Sequence, residues 1–250
     1  MIQEVWLGDC LDLMKNIDDT SVDLILCDLP YGTTACKWDI IIKFEPLWKE
    51  YNRIIKDKSA IVLFGSEPFS SKLRLSNLEM YRYDWKWNKL KPSNFQLMNF
   101  QCGRIHEDII VFSKAKAVYV SNGNIMNYYP QKEKLDKPRN VKKTMYGTKN
   151  STLREGHTIK ELGERTYEYK LPKSIIEFSN ANIKEKKHPT EKPVILCEYL
   201  IKTYTNEGDL VLDNCAGSGT TLLAAKNLNR QFIGIEREEK YVDIIKDRLK

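Results

Sequence analysis

Short apolar runs alternate with amphipathic stretches over the first 112 residues of the chain. Val5 to Leu7, Val22 to Cys27 (V-D-L-I-L-C), Ala60 to Phe64 (A-I-V-L-F), Tyr81 to Trp87 and Asp108 to Phe112 have the length and near-continuous apolarity of buried strands. Between them, Cys10 to Ile17, Phe44 to Ile55 and Ser70 to Leu78 carry apolar residues at helical spacing. From about Ser113 to Pro172 this period fades, and Asn, Gly, Lys and Tyr dominate, punctuated by Pro130, Pro138 and Pro172. The alternation then resumes. A helix is predicted over Pro193–Thr203, with Pro in its first turn. Strand Leu210–Leu212, helix Thr220–Leu228, strand Gln231–Ile235 and helix Tyr241–Leu249 follow. Strands alternating with helices predict an α/β fold with a largely parallel sheet.

A chain of 250 residues can bury a substantial core as one domain with an insertion. No apolar run is long enough to span a bilayer, so no membrane partner is expected. Glu4, Asp9 and Asp12 in the first stretch are unlike a secretory signal. The six cysteines are scattered with no C-x-x-C pair, which fits reduced, mostly buried thiols in a cytoplasmic protein. His106, His157 and His188 do not pair with cysteines at ligand spacing, so no metal site is expected. The net charge of +6 is unevenly spread: Lys114 to Lys187 holds seventeen Lys/Arg against eight Asp/Glu, as a polyanion-binding surface would. A solvated lysine-rich loop would give the same count.

Candidate chemistry starts at V-L-D-N-C-A-G-S-G-T-T, Val211 to Thr221. A strand ends at Asp213, a turn of small residues follows (Ala216, Gly217, Ser218, Gly219), and a helix opens at Thr220 and Thr221. Glycines let the backbone approach a ligand closely, and the helix start offers free N–H groups. The next strand ends at Glu236, where a carboxylate can accept hydrogen bonds from ribose hydroxyls. A dinucleotide fingerprint would need a third glycine, but Leu222 stands there. Asp213 before the turn would repel a pyrophosphate and attract the ammonium of a methionine moiety. The pattern therefore favours S-adenosyl-L-methionine over a nicotinamide dinucleotide.

Asp28-Leu29-Pro30-Tyr31 follows the strand V-D-L-I-L-C. The nitrogen of an aryl amine is a poor nucleophile, because its lone pair is delocalised into the ring. The Asp28 carboxylate and the Leu29 carbonyl could each accept one N–H, hold the nitrogen toward a tetrahedral form and stabilise its developing positive charge. Pro30 stiffens the turn and biases Leu29 toward an extended backbone. Tyr31 offers a ring on which an extruded base can stack. The methyl would then transfer in line from the sulfonium, without a metal. Taken alone, a D-x-P-Y string at a strand end also fits an ordinary β-turn.

Together these residues resemble the amino-methylating DNA methyltransferases of the N4-cytosine/N6-adenine type, in the permuted order called the beta class, and most of all the adenine-specific members. Asp28-Leu29-Pro30-Tyr31 resembles the catalytic D-P-P-Y motif, and Asp213 to Thr221 the cofactor glycine motif placed C-terminal to it. His188-Pro189-Thr190-Glu191-Lys192-Pro193 is similar to the H-P-T-x-K-P box, which lies beside the methionine end of the cofactor, so Lys192 is a cofactor-side residue. Gly8-Asp9-Cys10 resembles an element that lies against the cofactor adenine, which brings in Asp9 and Cys10. Trp85–Lys89 and Arg104–Phe112 are similar to strands near the target-base pocket.

The resemblance implies a Rossmann-like S-adenosylmethionine-dependent methyltransferase fold: a mostly parallel seven-stranded sheet with helices on both faces. The catalytic half is expected over 1–112 and the cofactor-binding half over 188–250. A basic target-recognition insertion over 113–187 would separate them. Within that insertion Lys132, Lys134, Arg139, Lys142 and Lys143, interleaved with Tyr119, Tyr128, Tyr129, Tyr146 and Tyr167, are candidate contacts to double-stranded DNA. His106 and His188 read as structural hydrogen-bonding residues. A homodimer and a cognate restriction endonuclease are the further partners the resemblance suggests, in a bacterial or phage-encoded cytoplasmic enzyme.

Leu29 stands where the family usually has Pro, which predicts a looser loop with activity retained. Asp28 in the first position favours adenine, since cytosine-N4 enzymes usually have Ser there. Other readings are cytosine N4 on the same fold, an RNA or glutamine-amide methyltransferase (usually N-P-P-Y, with the glycine motif first), and a catalytically dead DNA-binding module. The intact Asp28, Tyr31, Asp213 and Glu236 weigh against the last.

Overall fold

A computed structural model describes residues 2–33, 39–119, 123–146, 150–151, 154–155, 159–180 and 191–250. The chain divides into two compact units, Met1–Tyr129 with Ser174–Lys250, and Pro130–Lys173.

The larger unit is built on strands β1 (Gln3–Leu7), β2 (Val22–Cys27), β3 (Ile55–Gly65), β4 (Tyr81–Asn88) and β5 (His106–Phe112). β10 (Ile175–Glu177), β11 (Leu210–Asp213) and β12 (Gln231–Glu236) complete it. They form one eight-stranded sheet in the order β1-β12-β11-β2-β3-β5-β4-β10. All neighbours pair in parallel except β5, which runs antiparallel to both β3 and β4. All seven expected strands are present. The eighth, β10, is three residues long, too short to leave a pattern in the sequence.

The continuous apolarity of β2 has a simple cause: both faces of the sheet are covered. Leu24 and Leu26 point into one core, and Val22, Ile25 and Cys27 into the other. β3 splits the same way, Ala60, Val62 and Phe64 against Ile61 and Leu63. Helices α1 (Cys10–Leu13), α2 (Phe44–Ile54) and α3 (Phe69–Ser76) cover one face through Met14, Leu47, Trp48, Tyr51, Ile54, Phe69 and Leu73. Helices α4 (Val194–Tyr204), α5 (Thr220–Asn227) and α6 (Glu239–Arg248) cover the other through Leu196, Leu200, Leu222 and Ile245.

The basic region expected as an insertion over 113–187 divides. Residues 113–129 belong to the larger unit: Ala115 and Met126 are buried in its core, and Tyr129 N–H donates to the Thr203 carbonyl at 2.7 Å. The smaller unit pairs β6 (Glu133–Tyr146) with β9 (Ile159–Lys170) as a long antiparallel ribbon. Short strands β7 (Asn150–Ser151) and β8 (Arg154–Glu155) pair beyond it. None of its described side chains is buried. This fits the lack of alternation in the sequence there: none of the ribbon's described side chains belongs to a core.

Candidate active site

β2 and β11 are parallel neighbours near the middle of the sheet, and their carboxyl ends carry Asp28 and Asp213. In open parallel sheets ligands bind at this edge. A cleft with about 1190 Å³ of empty space, its solvent-open mouth included, lies there. It brings together Asp9, Cys10, Asp28, Leu29, Pro30, Tyr31, Lys192, Gly217 and Glu236, all expected from the sequence. A smaller adjoining cavity of about 380 Å³ is lined by Asp28, Lys192, Asp213, Ala216, Gly217, Ser218, Thr220 and Thr221. Gly219 lines neither cavity. It has φ +78° at the cap of α5, and a Cβ there would come within 2.8 Å of Ile245.

The Asp28 carboxylate is gripped at both oxygens. Tyr31 Oη–H donates to Oδ1 at 2.7 Å, and Lys192 Nζ donates to Oδ2 at 2.5 Å. Lys192 also lies 3.4 Å from Glu107, whose other oxygen meets Lys89 at 3.0 Å. Two carboxylates and two ammoniums thus alternate in a buried chain whose charges balance. Burial pushes the pKa of Asp28 up, and Lys192 offsets part of that rise. Burial works against the charge on Lys192, yet Asp28 and Glu107 outweigh it and hold the ammonium protonated. Glu107 is likewise held below its usual range: burial opposes this, but Lys192 and Lys89 prevail. Lys192, expected beside the cofactor, therefore commits its ammonium to the carboxylates of Asp28 and Glu107. His188, Pro189 and Thr190 of the same box lie outside the described residues.

The described residues of the loop after β2 are held at several points. Leu29 is buried in the core. Asp39 takes the N–H groups of Gly32 and Thr33 at 2.8 and 2.9 Å. Tyr31 stacks on Phe69 with 4.9 Å between centroids, which fixes the plane of its ring at the cleft wall.

On the cofactor side, Glu236 Oε2 accepts from Gly217 N–H at 2.7 Å and Oε1 from Glu238 N–H at 2.8 Å. With Arg237 N–H as a third backbone donor, about one acceptor site of the carboxylate is left for a ligand. Asp213 accepts from Cys215 N–H at 3.1 Å, and burial raises its pKa to about 6. Asp9 caps α1 through Leu11 N–H at 2.8 Å. The side chains of Ser218 and Thr220 are engaged by Arg248, which also forms a buried pair with Glu191 at 2.9 Å. These residues fit S-adenosylmethionine: a buried carboxylate beside the glycine turn with no ion pair among the described residues, and a strand-end carboxylate at the cleft. Among the described residues no group of side chains could hold a metal ion.

Lys132, Lys134 and Arg139 are exposed in the smaller unit, and Lys142 and Lys143 lie on β6. His106 is exposed and pairs with Asn88 across β5 and β4. Sequence reasoning missed Glu107, Lys89 and Asp39. The signal available for Glu107 was an acidic pair, Glu107-Asp108, at the head of an otherwise apolar strand. Asp108 faces the other side of the sheet and pairs with Arg74 and Lys86.

Comparison with known proteins agrees with this geometry. The chain is 29% identical to the type II methyltransferase M.HpaI of Haemophilus parainfluenzae, covering 100% of this chain and 74% of that one. It is 30% identical to the type II methyltransferase M.HinfI of Haemophilus influenzae, covering 97% and 67%. The fold matches the crystal structure of the M1.HpyAVI–SAM complex with a TM-score of 0.61 and 24% identity over both full chains. Residues 22–247 match the family model described as DNA methylase, of the N6/N4 type. The chain belongs to the N6/N4 family of DNA methylases.

Proposed function

We propose that the protein is a site-specific DNA methyltransferase that uses S-adenosyl-L-methionine to methylate the exocyclic N6 amino group of a flipped-out adenine. The observation that carries this reading is Asp28, a half-buried carboxylate at the carboxyl end of β2, held at both oxygens by Tyr31 and Lys192. Asp213 would receive the ammonium of the cofactor, and Glu236, with Asp9 and Cys10 nearby, its nucleoside. When bound, the cofactor supplies an electrophilic methyl group.

The protein supplies position and charge. A carboxylate has about four lone-pair sites, so Asp28 can accept an amino N–H while keeping both existing donors. The Leu29 carbonyl takes the second N–H, and the nitrogen lone pair is then free to face the cleft. Positive charge growing on the nitrogen is stabilised by Asp28, which is placed to take the released proton. Tyr31 provides an aromatic wall for the base. The exposed basic ribbon β6–β9 reads the flanking duplex, with Lys132, Lys134, Arg139, Lys142 and Lys143 toward phosphates. A two-stranded ribbon without a core is marginal alone, so a duplex is a natural support for it.

Cytosine N4 is the second reading, since the family covers both amino groups. Asp28, rather than Ser, favours adenine. The type II relatives also make a cognate restriction endonuclease a candidate partner, and a homodimer remains part of the reading. The reading includes a cytoplasmic enzyme, bacterial or phage-encoded, which the bacterial relatives support.

Labelled methyl transfer to unmethylated DNA, followed by single-molecule sequencing of the product, tests the proposal. N6-methyladenine at one sequence context is expected, and N4-methylcytosine would select the second reading. No incorporation over a broad panel of DNAs would sink both. Asp28→Ala should lower transfer by about 10²–10³-fold or more while leaving cofactor affinity within a few fold.

A further inference from the structure

The segment between β4 and β5, residues 90–105, is ordered by its own hydrogen bonds yet turns large apolar side chains to solvent. Lys89 N–H donates to the Ile105 carbonyl at 2.7 Å, Ser93 N–H to the Arg104 carbonyl at 3.1 Å, and Arg104 N–H to Asn94 Oδ1 at 2.6 Å. A short helical turn, Phe95–Leu97, sits at its tip. On this frame Phe100 is 87% exposed and Phe95 68%, with Leu97 and Met98 about half exposed beside them. Leu90 enters the loop at φ +66°, a backbone conformation that L side chains rarely adopt. A preformed loop that exposes several large apolar groups together marks an interaction surface.

Three observations say what covers it. β4 runs parallel to β2 and β11 within the sheet, so the loop leaves the same edge as Asp28 and Asp213. Its root is tied to the cleft: Lys89 bonds both Ser93 and the cleft-lining Glu107. From Asn88 to His106 the chain holds Lys89, Lys91 and Arg104 but no Asp or Glu. A surface both apolar and free of negative charge, beside a site that needs a base taken out of a duplex, fits a polyanion with stacked apolar planes.

We infer that the loop 90–105 is a wedge that inserts Phe95 or Phe100 into the DNA base stack and fills the gap left by the extruded target base. It rests on DNA being the substrate of the Asp28 cleft. Apolar side chains inserted between base steps offset the unstacking of the duplex. The wedge acts on the duplex and not on the transferred methyl, so its loss should be felt only where the target base is well paired and stacked.

The test uses the full chain and duplexes of the methylated sequence, identified by sequencing, with the target base either paired or mismatched. Phe95→Ala/Phe100→Ala should methylate the paired duplex about 10-fold more slowly than the parent, and the mismatched duplex within about 2-fold of it. Phe95→Trp/Phe100→Trp, which keeps stacking surface, should retain most of the rate on both. Equal rates of parent and alanine variant on the paired duplex would overturn the inference. An equal loss on both duplexes would also overturn it, because the loop would then be an ordinary DNA contact. A shift from dimer to monomer in the alanine variant without DNA would overturn it in favour of a second copy of this chain as the occupant. A parent protein that methylates no DNA would instead count against the proposed function itself.

Discussion

At Asp213 the fold holds a carboxylate away from water with hydrogen-bond donors and, among the described residues, no paired cation, and burial raises its pKa from the ordinary 3.8 to about 6. The neutral form is the one the empty fold favours. That contribution to stability is complete below about pH 4 and is lost as pH rises through about 6. A bound ammonium reverses the preference, because it favours the ionised acid. Affinity for S-adenosylmethionine should therefore weaken below about pH 6, by up to about tenfold per unit, with one proton released on binding. Calorimetry in buffers of different ionisation heat measures that proton, and Asp213→Asn should abolish both it and the pH dependence. Lys192 poses a different problem. Lys192→Met leaves Asp28 and Glu107 facing each other without the cation between them. Breaking such a buried pair costs roughly 3–5 kcal/mol, visible as a lower melting temperature. The pKa of Asp28 should rise further, so the acid limb of the rate profile should move to higher pH. Lys192→Arg should restore part of both.

Among the elements, the turn from β11 into α5 is the most constrained. Gly219 combines a left-handed backbone with close contact to Ile245 of α6. Gly219→Ala should cost roughly 1–2 kcal/mol for the backbone alone, and more as Ile245 is displaced, with weaker cofactor binding as the readout. The glycine missing from the dinucleotide pattern has a counterpart across the sheet. Leu222 on α5 packs directly on Gly234 of β12, where no side chain could fit. Close helix–strand approach is thus kept, with the small residue moved to the strand.

This element scale also explains what the sequence could reveal. β2 and β3 were legible because two cores demand apolar residues on both faces. β6 and β9, at 14 and 12 residues, were not, because none of their described side chains lies in a core. The motif residues Asp28 and Asp213 were legible from local order along the chain. Glu107 and Lys89 were not, because Glu107 pairs with Lys89 and with Lys192, which are distant from it in the chain, and only the sheet brings them together. Asp39 escaped for a related reason: its partners are backbone N–H groups, which carry no residue identity.

On the scale of the whole molecule, charge is segregated. Residues 130–173 hold twelve Lys/Arg against six Asp/Glu, and the remaining 206 residues hold 28 of each, so the smaller unit carries the entire net charge of +6. If the ribbon contacts phosphates, neutralising Lys132, Lys134, Arg139, Lys142 and Lys143 together should flatten the log–log salt dependence of DNA binding by up to about 4–5 units. Fluorescence anisotropy across a salt series measures this. An unchanged slope would locate the polyanion surface elsewhere, with the loop 90–105 the next place to look.

The pairing of β1 with β12 joins the two extremes of this chain. Ile2 meets Gln231 and Phe232, and Gly8 N–H donates to the Glu236 carbonyl, so Asp9 and Glu236 line the same cleft. Asp9 and Glu236 stand 227 residues apart in the chain. The strands around Asp28 can pair as soon as they are made, but this end of the cleft has no second wall until β12 has been synthesised and paired with β1. A nascent chain that has not reached β12 therefore carries Asp28 and Asp9 without Glu236. A product truncated before β12 should bind no S-adenosyl-L-methionine, which calorimetry can check.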